Sequence, residues 1–245
     1  MGIARQRPGA RDRRGRPRLA RLQGRDHGGG GEMMAQPGIL AIFNDCRAGR
    51  EAEFEAWFQG EHLVERLGVP GFLFGRRHRS IAGAPGYFNF YLVETPEVLT
   101  SKPYLERLDH PTPLTRTIMS EVFVNMNRTV CRRTARRGSI RGAFTVTARF
   151  NQKPDEAALS AVLERLTAET SVAGGEIWIA LDAAAMPVSM EETLRGGDKK
   201  IAGALMIDTL YRADAEAVGA QLTKQFPDAE IGIFGVLCTI GRGDL

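Results

Sequence analysis

The sequence predicts an α+β fold made of two consecutive βαββαβ units that cover each other as a barrel. Three observations carry that prediction. Short apolar runs alternate with amphipathic ones from Pro37 onward. The same order of elements then recurs. A polar, arginine-rich segment, RRTARRGSIRG (132–142), separates the two copies and reads as a solvated linker.

Each element has its own justification. GILAIFND (38–45) is rich in β-branched and aromatic residues and reads as a strand. In GREAEFEAWFQ (49–59), Phe54, Trp57 and Phe58 share one helical face. Gly60 weakens that helix and Pro70-Gly71 ends it. FLFGRRHRS (72–80) alternates as a strand, GAPG (83–86) is a turn, and YFNFYLVE (87–94) is the next strand. TPEVLTSKPYLERL (95–108) reads as one helix, with Thr95 as N-cap and Pro96 at the first helical position. MSEVFVNMNRTVC (119–131) closes the first copy as a strand. The second copy has a strand (142–151), an amphipathic helix (153–170), strands over 175–182 and 199–212, a helix (214–226) and a last strand (229–240). This βαββαβ order is that of the ferredoxin-like unit, whose sheet keeps one apolar face uncovered. Two fused ferredoxin-like units can bury those faces against each other, with helices outside.

The totals narrow the class. The chain has 245 residues, 43% hydrophobic and 25% charged, as in a globular protein. No apolar run approaches the ~18 residues of a membrane span. Cys46, Cys131 and Cys238 are few, far apart and without metal-ligand spacing, which points to a cytoplasmic, reducing setting. The basic balance is local. Residues 1–32 hold nine arginines against three acids, a net +6, while the whole chain is +4, so residues 33–245 carry −2. Residues 1–36 are too poor in apolar side chains to order themselves and are expected to form a disordered basic tail. A nucleic-acid or lipid-binding arm and a targeting peptide are two readings of it. A start codon placed too early is the favoured one, because GGGGE before Met33-Met34 resembles a purine-rich ribosome-binding stretch read as codons. The expected domains are then the first repeat over 37–131, the linker over 132–142 and the second repeat over 143–245.

One stretch, WFQGEHLVERLGVPGFLFGRRH (57–78), concentrates candidate chemistry. On an ideal helix His62 lies about 80° from Phe54, at the edge of the apolar face, where it can look into a pocket as general acid or base. Glu61 and Glu65 fall within about 20° of Phe54 and are expected to point inward, with Arg66 and Arg76 as partners. Alternation places Phe72, Phe74, Arg76 and His78 on one strand face, with Arg77 and Arg79 on the other, and groups Tyr87, Asn89, Tyr91 and Val93. His110-Pro111-Thr112-Pro113 is a rigid loop, followed by Arg116; histidine and arginine beside a cleft suit a carboxylate or enolate.

The same stretch resembles the EthD-like branch of the dimeric α/β-barrel superfamily. Its helix ends in a W-[YF]-x-x-E-H-x-x-E-R-L-x-V-P-G-F pattern, matched by Trp57, Phe58, Glu61, His62, Glu65, Arg66, Leu67, Val69, Pro70, Gly71 and Phe72, followed by Arg76 and Arg77. EVLTSKPYLERLDHPTPLTR (97–116) and NMNRTVCR (125–132) are similar to that group too, and MEETLRGGDKK (190–200) more loosely. Leu114 stands where the family has an aromatic residue, and His78 where it often has tyrosine. The resemblance implies a small-molecule site and a superfamily of cofactor-free monooxygenases, polyketide cyclases, muconolactone isomerases and haem enzymes. All four histidines precede residue 111, so the second-half histidine of fused haem-binding relatives is missing and no cofactor is expected. Convergence of His62, His78 and His110 on a metal is not expected either.

Two functional classes are open. In one, a cofactor-free isomerase, cyclase or monooxygenase acts on an aromatic or acidic metabolite. His62 is then catalytic, and Trp57, Arg66, Arg76, His78, Tyr91, His110 and Arg116 bind the substrate. In the other, a non-catalytic binding or stress-response protein uses the same residues to build its fold. The expected partner is a small organic ligand, with no membrane and no nucleic acid. Two chains can pair as a homodimer, although fusion removes the need.

Overall fold

The computed structural model describes residues 36–182 and 187–245. The reading of the basic tail falls outside them, apart from Gln36. The first half runs β1 (Gly38–Cys46), α1 (Glu51–Trp57), α2 (Leu63–Gly68), β2 (Phe72–Ala82), β3 (Tyr87–Val93), α3 (Lys102–Asp109), α4 (Pro113–Thr117) and β4 (Phe123–Arg137). The second runs β5 (Phe144–Phe150), α5 (Glu156–Thr167), β6 (Val172–Ala180), α6 (Met190–Leu194), β7 (Gly203–Thr209), α7 (Arg212–Gln225) and β8 (Glu230–Gly241).

The strands close into one antiparallel barrel in the order β1-β3-β2-β8-β5-β7-β6-β4. Within it the first half reads β4-β1-β3-β2 and the second β8-β5-β7-β6, the same order of first, second, third and fourth strands. The seams are β2 against β8 and β4 against β6. Among the described residues, closure leaves no strand edge unpaired, which removes the template for edge-to-edge aggregation.

Alternation along each strand separates two environments. In β1, Leu40 and Ile42 face the helices and join Phe54, Trp57 and Leu67 in one core. Ile39, Ala41 and Phe43 face the lumen with Phe88, Phe90, Trp178, Met206 and Phe234. A third core lies under α5 and α7. α5 shows why these helices form where they do. Asp155 caps it, accepting from the Ala157 and Ala158 amides at 2.9 and 3.3 Å, and Leu159, Val162, Leu163 and Leu166 recur at helical spacing and are buried. Each such side chain contributes about 1.5–3 kcal/mol through burial. Gly71 ends the α2 turn at φ 90°, and a side chain there would meet Val98 Cγ2 at 2.5 Å.

The structure corrects four expectations. The basic segment 132–142 is not wholly a solvated connector: β4 continues to Arg137 and pairs with β6. Its arginines serve a buried acid, since Arg133 and Arg141 reach Glu176 at 3.3 and 2.7 Å. The helix expected over 95–108 is two pieces, a 3₁₀ turn (Pro96–Thr100) and α3. Pro103 has no N–H and would clash with the carbonyl of residue 99 in a continuous helix. The strand expected from 119 starts at Phe123, because Ile118, Met119 and Val122 are buried at helical spacing and form a π-helical turn. Finally, a register shift between Phe72 and Phe74 puts Phe72 on the helix side, packed on Tyr91 and Tyr104, away from Phe74 in the lumen.

Candidate functional site

α1 and α2 are one continuous helix interrupted by a π-helical turn, Phe58–His62. Such turns are rare and recur at functional sites because they rotate the following side chains out of α-helical phase. Here the turn carries Glu61 and His62. Glu61 accepts hydrogen bonds from the Thr112 and Thr115 hydroxyls, both at 2.6 Å, and Thr115 accepts from Trp57 Nε1 at 2.9 Å. Thr112 also caps α4 through the Thr115 amide. The His-Pro-Thr-Pro loop is thereby clamped to the π turn, and Trp57 is fixed as the wall against His62.

His62 is buried, with its ring 4.4 Å from Trp57 and 5.0 Å from Phe58. Burial holds its pKa well below the ordinary range, and Arg66, Arg195 and Arg77 push it further down. The imidazole is therefore neutral near pH 7, and its Nδ1 has no hydrogen-bond partner. Tyr91, from β3, is buried beside Arg66, and its hydroxyl is also unpartnered. Burial keeps that hydroxyl protonated far above the ordinary tyrosine range. Arg66 donates through Nη2 to Glu191 and leaves Nη1 free. Its guanidinium lies 6.0 Å from the Tyr104 ring, and Arg128 donates to the Tyr104 hydroxyl at 2.7 Å. Trp57, His62, Arg66 and Tyr91 are thus brought together between the helix layer and the outer face of the sheet. A neutral base, a cation and a hydroxyl donor in a water-poor site can move a proton and hold the oxyanion that results.

The remaining sequence candidates lie elsewhere. Arg76 and His78 face the lumen, not the His62 pocket. Arg76 donates to Asp208 at 3.1 Å and to the Gly142 carbonyl. His78 stacks on Phe88 at 4.7 Å, and its two nitrogens contact the Phe88 carbonyl at 3.0 Å and Thr145 Oγ1 at 3.3 Å. Burial and Arg76 hold its pKa well below the ordinary range. His110 is exposed and lines a surface cleft of about 510 Å³ with Glu65, Val69, Pro70, Pro103 and Arg107. Arg116 is exposed on α4. His62, His78 and His110 therefore occupy three separate places, and no group of three or more His, Cys, Asp or Glu with metal-holding geometry occurs among the described residues.

The expected ion pairs also change partners. Arg66 bonds Glu191 rather than Glu61 or Glu65, and Glu65 pairs with Arg107 at 3.1 Å. Arg77, on the other strand face as expected, is fully buried, pairs with Glu55 at 2.8 Å and lies 3.8 Å over the Phe58 ring. The sequence alone did not indicate Glu191 and Arg195, which respectively bond Arg66 and act on His62. Their only signal was that they are charged residues within MEETLRGGDKK. Nor did it indicate Glu176 and Asp208 in the lumen, each a lone acid inside an otherwise apolar strand.

No family model and no curated protein sequence matches the chain. Solved structures do. An anthrone oxidase-like protein superposes with a TM-score of 0.59 at 15% identity, over 86% of this chain and 95% of its own. A candidate monooxygenase of Fusobacterium nucleatum subsp. nucleatum gives 0.54 at 10% identity, over 87% of this chain and 98% of its own. A candidate chlorite dismutase gives 0.51 at 9% identity, over 86% and 97%. At these identities the likeness is one of fold alone, a ferredoxin-like α+β barrel.

Proposed function

We propose that the chain is an EthD-like barrel of two fused ferredoxin-like repeats that binds a small organic molecule between helices and sheet. The identical strand order of the two halves supports the fusion. The chemistry is cofactor-free proton transfer leading to isomerisation, cyclisation or oxygenation of an aromatic or acidic metabolite. One observation carries this reading: His62 Nδ1, Tyr91 Oη and Arg66 Nη1 are all buried and unpartnered, and Arg66 acts electrostatically on both His62 and Tyr91. Leaving a buried polar atom unpaired costs about 1–3 kcal/mol, so three in one place point to a ligand that completes them.

His62 takes a proton from an acidic C–H or O–H of the ligand. The enolate or phenolate oxygen accepts from Tyr91 and Arg66, which are in place before the charge develops. The ligand sets the next step: reprotonation at another carbon, ring closure, or reaction of the carbanion with O₂. Neighbours of this fold named as an anthrone oxidase-like protein and a candidate monooxygenase fit the last route. Trp57 and Tyr104 supply aromatic walls for a flat ligand. The lumen, surface-cleft and α4 candidates Arg76, His78, His110 and Arg116 take no part in this step.

The test is a thermal-shift screen of phenols, enols and aromatic or keto acids against the full chain, with turnover assays on any hit. A ligand at a hundred times its Kd stabilises the native state by about 2.7 kcal/mol. The expected result is a hit that is converted, with conversion abolished in His62→Ala while that variant stays folded. Conversion that persists in His62→Ala, or binding without any conversion, moves the assignment to a non-catalytic binding protein.

A further inference from the structure

Glu191 lies on α6, in the second half of the chain, yet its carboxylate ends on Arg66 of the first half. Both side chains are almost fully buried, with exposures of 5% and 2%. α6 is held there by other contacts. Ser189 caps it through the Glu192 amide at 3.2 Å, the Met190 amide donates to Asp109 Oδ1 at 3.0 Å, and Arg195 bonds Asp198 and the Met119 sulfur. The helix therefore has anchors that do not depend on the Arg66–Glu191 pair.

The arginines around His62 and Tyr104 have different partners. Arg77 is paired with Glu55, Arg195 with Asp198, and Arg66 with Glu191, whose other oxygen lies 3.8 Å from Arg195. Arg128 donates to the Tyr104 hydroxyl at 2.7 Å, and Asp198 and Glu191 act on it electrostatically. Glu191 also uses only one nitrogen of Arg66, whereas a carboxylate can engage a guanidinium through two parallel hydrogen bonds. A ligand carboxylate that took both nitrogens, with Tyr91 Oη beside them, would satisfy donors that Glu191 leaves idle.

We propose that Glu191 is an internal stand-in for an anionic group of the ligand, and that the pocket takes a small aromatic or enolic carboxylate whose oxyanion replaces Glu191 on Arg66. The proposal rests on the reading of the His62 pocket as the binding site, and it names the substrate class and a residue that sets it. Glu191 makes the empty pocket electrically tolerable and discriminates against neutral ligands, which cannot take over its partner.

Benzoate is the probe, with benzamide as the neutral isostere, at constant ionic strength. The melting temperature is followed for the full chain, for Glu191→Gln and for the double variant Arg66→Met/Glu191→Gln. Saturable stabilisation of Glu191→Gln by benzoate is expected, with an apparent Kd at least tenfold below that of the parent, no effect of benzamide, and no benzoate effect on the double variant. Equal benzoate dependence in parent and Glu191→Gln, no dependence in either, or a shift that survives in the double variant overturns the proposal. Should Glu191→Gln not remain folded alone, refolding decides. Recovery with benzoate but not benzamide supports the exchange, and recovery with both or neither overturns it. None of these readouts needs His62, so a benzoate subsite can stand while the proton-transfer reading fails, and the reverse.

Discussion

His62 is neutral in the folded chain because imidazolium is costly among Trp57, Phe58 and three guanidiniums. His78 is neutral for a related reason in the lumen, between Phe88 and Arg76. Both folded pKa values lie well below the ordinary 6.5, so below that pH the unfolded chain binds more protons than the folded one. Their stabilising contribution is complete above about pH 6.5 and is lost as the pH falls toward the folded values, by at most about 1.4 kcal/mol per pH unit for each histidine. Urea unfolding at pH 7.5, 6.5 and 5.5 checks this. His62→Ala should be less stable overall but show a shallower decline toward acid, by close to one proton's worth. Equal slopes would mean that His62 titrates normally in the native state. Neutrality by burial was not readable from helical phase, which placed His62 at the edge of the apolar face. The π turn carried it inside.

At the scale of elements, the lumen shows how strands of opposite halves are joined by charge. Asp208 on β7 accepts from Arg76 on β2 and from Thr145 on β5, the latter at 2.6 Å. Burial pushes the Asp208 carboxyl up, against the pull of Arg76 and the Thr145 hydrogen bond. Glu176 on β6 accepts from Arg141 and from Trp178 Nε1, and Arg133 on β4 lies within ion-pair distance. Arg141 also sits 4.9 Å from the Phe74 ring. Removing one member of a buried pair leaves an uncompensated charge, whereas replacing both by apolar groups of similar size is often neutral. Asp208→Leu should therefore cost about 3–5 kcal/mol, and Arg76→Met in the same chain should return much of it. Chemical denaturation of both variants checks this. A double variant no better than the single one would show that the pair is held by its neighbours, Arg141 and Thr145, more than by each other. The arginines of segment 132–142 looked like solvent-facing charge because their acceptor, Glu176, lies some 40 residues further along the chain.

At the scale of the whole molecule, each half alone would expose two strand edges, β2 and β4 in the first and β6 and β8 in the second. The barrel joins them as β2–β8 and β4–β6, that is, second strand to fourth strand at both seams. A free first half carries both kinds of edge, so two copies can reproduce both seams. Residues 36–141 expressed alone should therefore form a homodimer, seen by light scattering, with the strand content of the parent by circular dichroism. A folded monomer would show that the lumen residues of the second half are not needed to cover the sheet. An unfolded fragment would show that the lumen charges require their own partners. The seams also explain how α6, from the second half, comes to complete a pocket in the first.

Local pattern alone determined the presence and order of the strands in both halves, the long helices, and the grouping of Tyr87, Asn89, Tyr91 and Val93 on one face. These features depend on side-chain periods of two and 3.6 residues and on turn chemistry, which are properties of neighbouring residues. Tertiary structure alone decided that Arg66 meets Glu191, that Arg76 and His78 leave the pocket for the lumen, and that Phe72 changes sides at a bulge. It also decided that three polar atoms of His62, Arg66 and Tyr91 stay without partners in one buried place. The partners of Arg66 and Arg76 lie more than 100 positions away, brought close only when the two halves of the barrel close, and no local period encodes that distance.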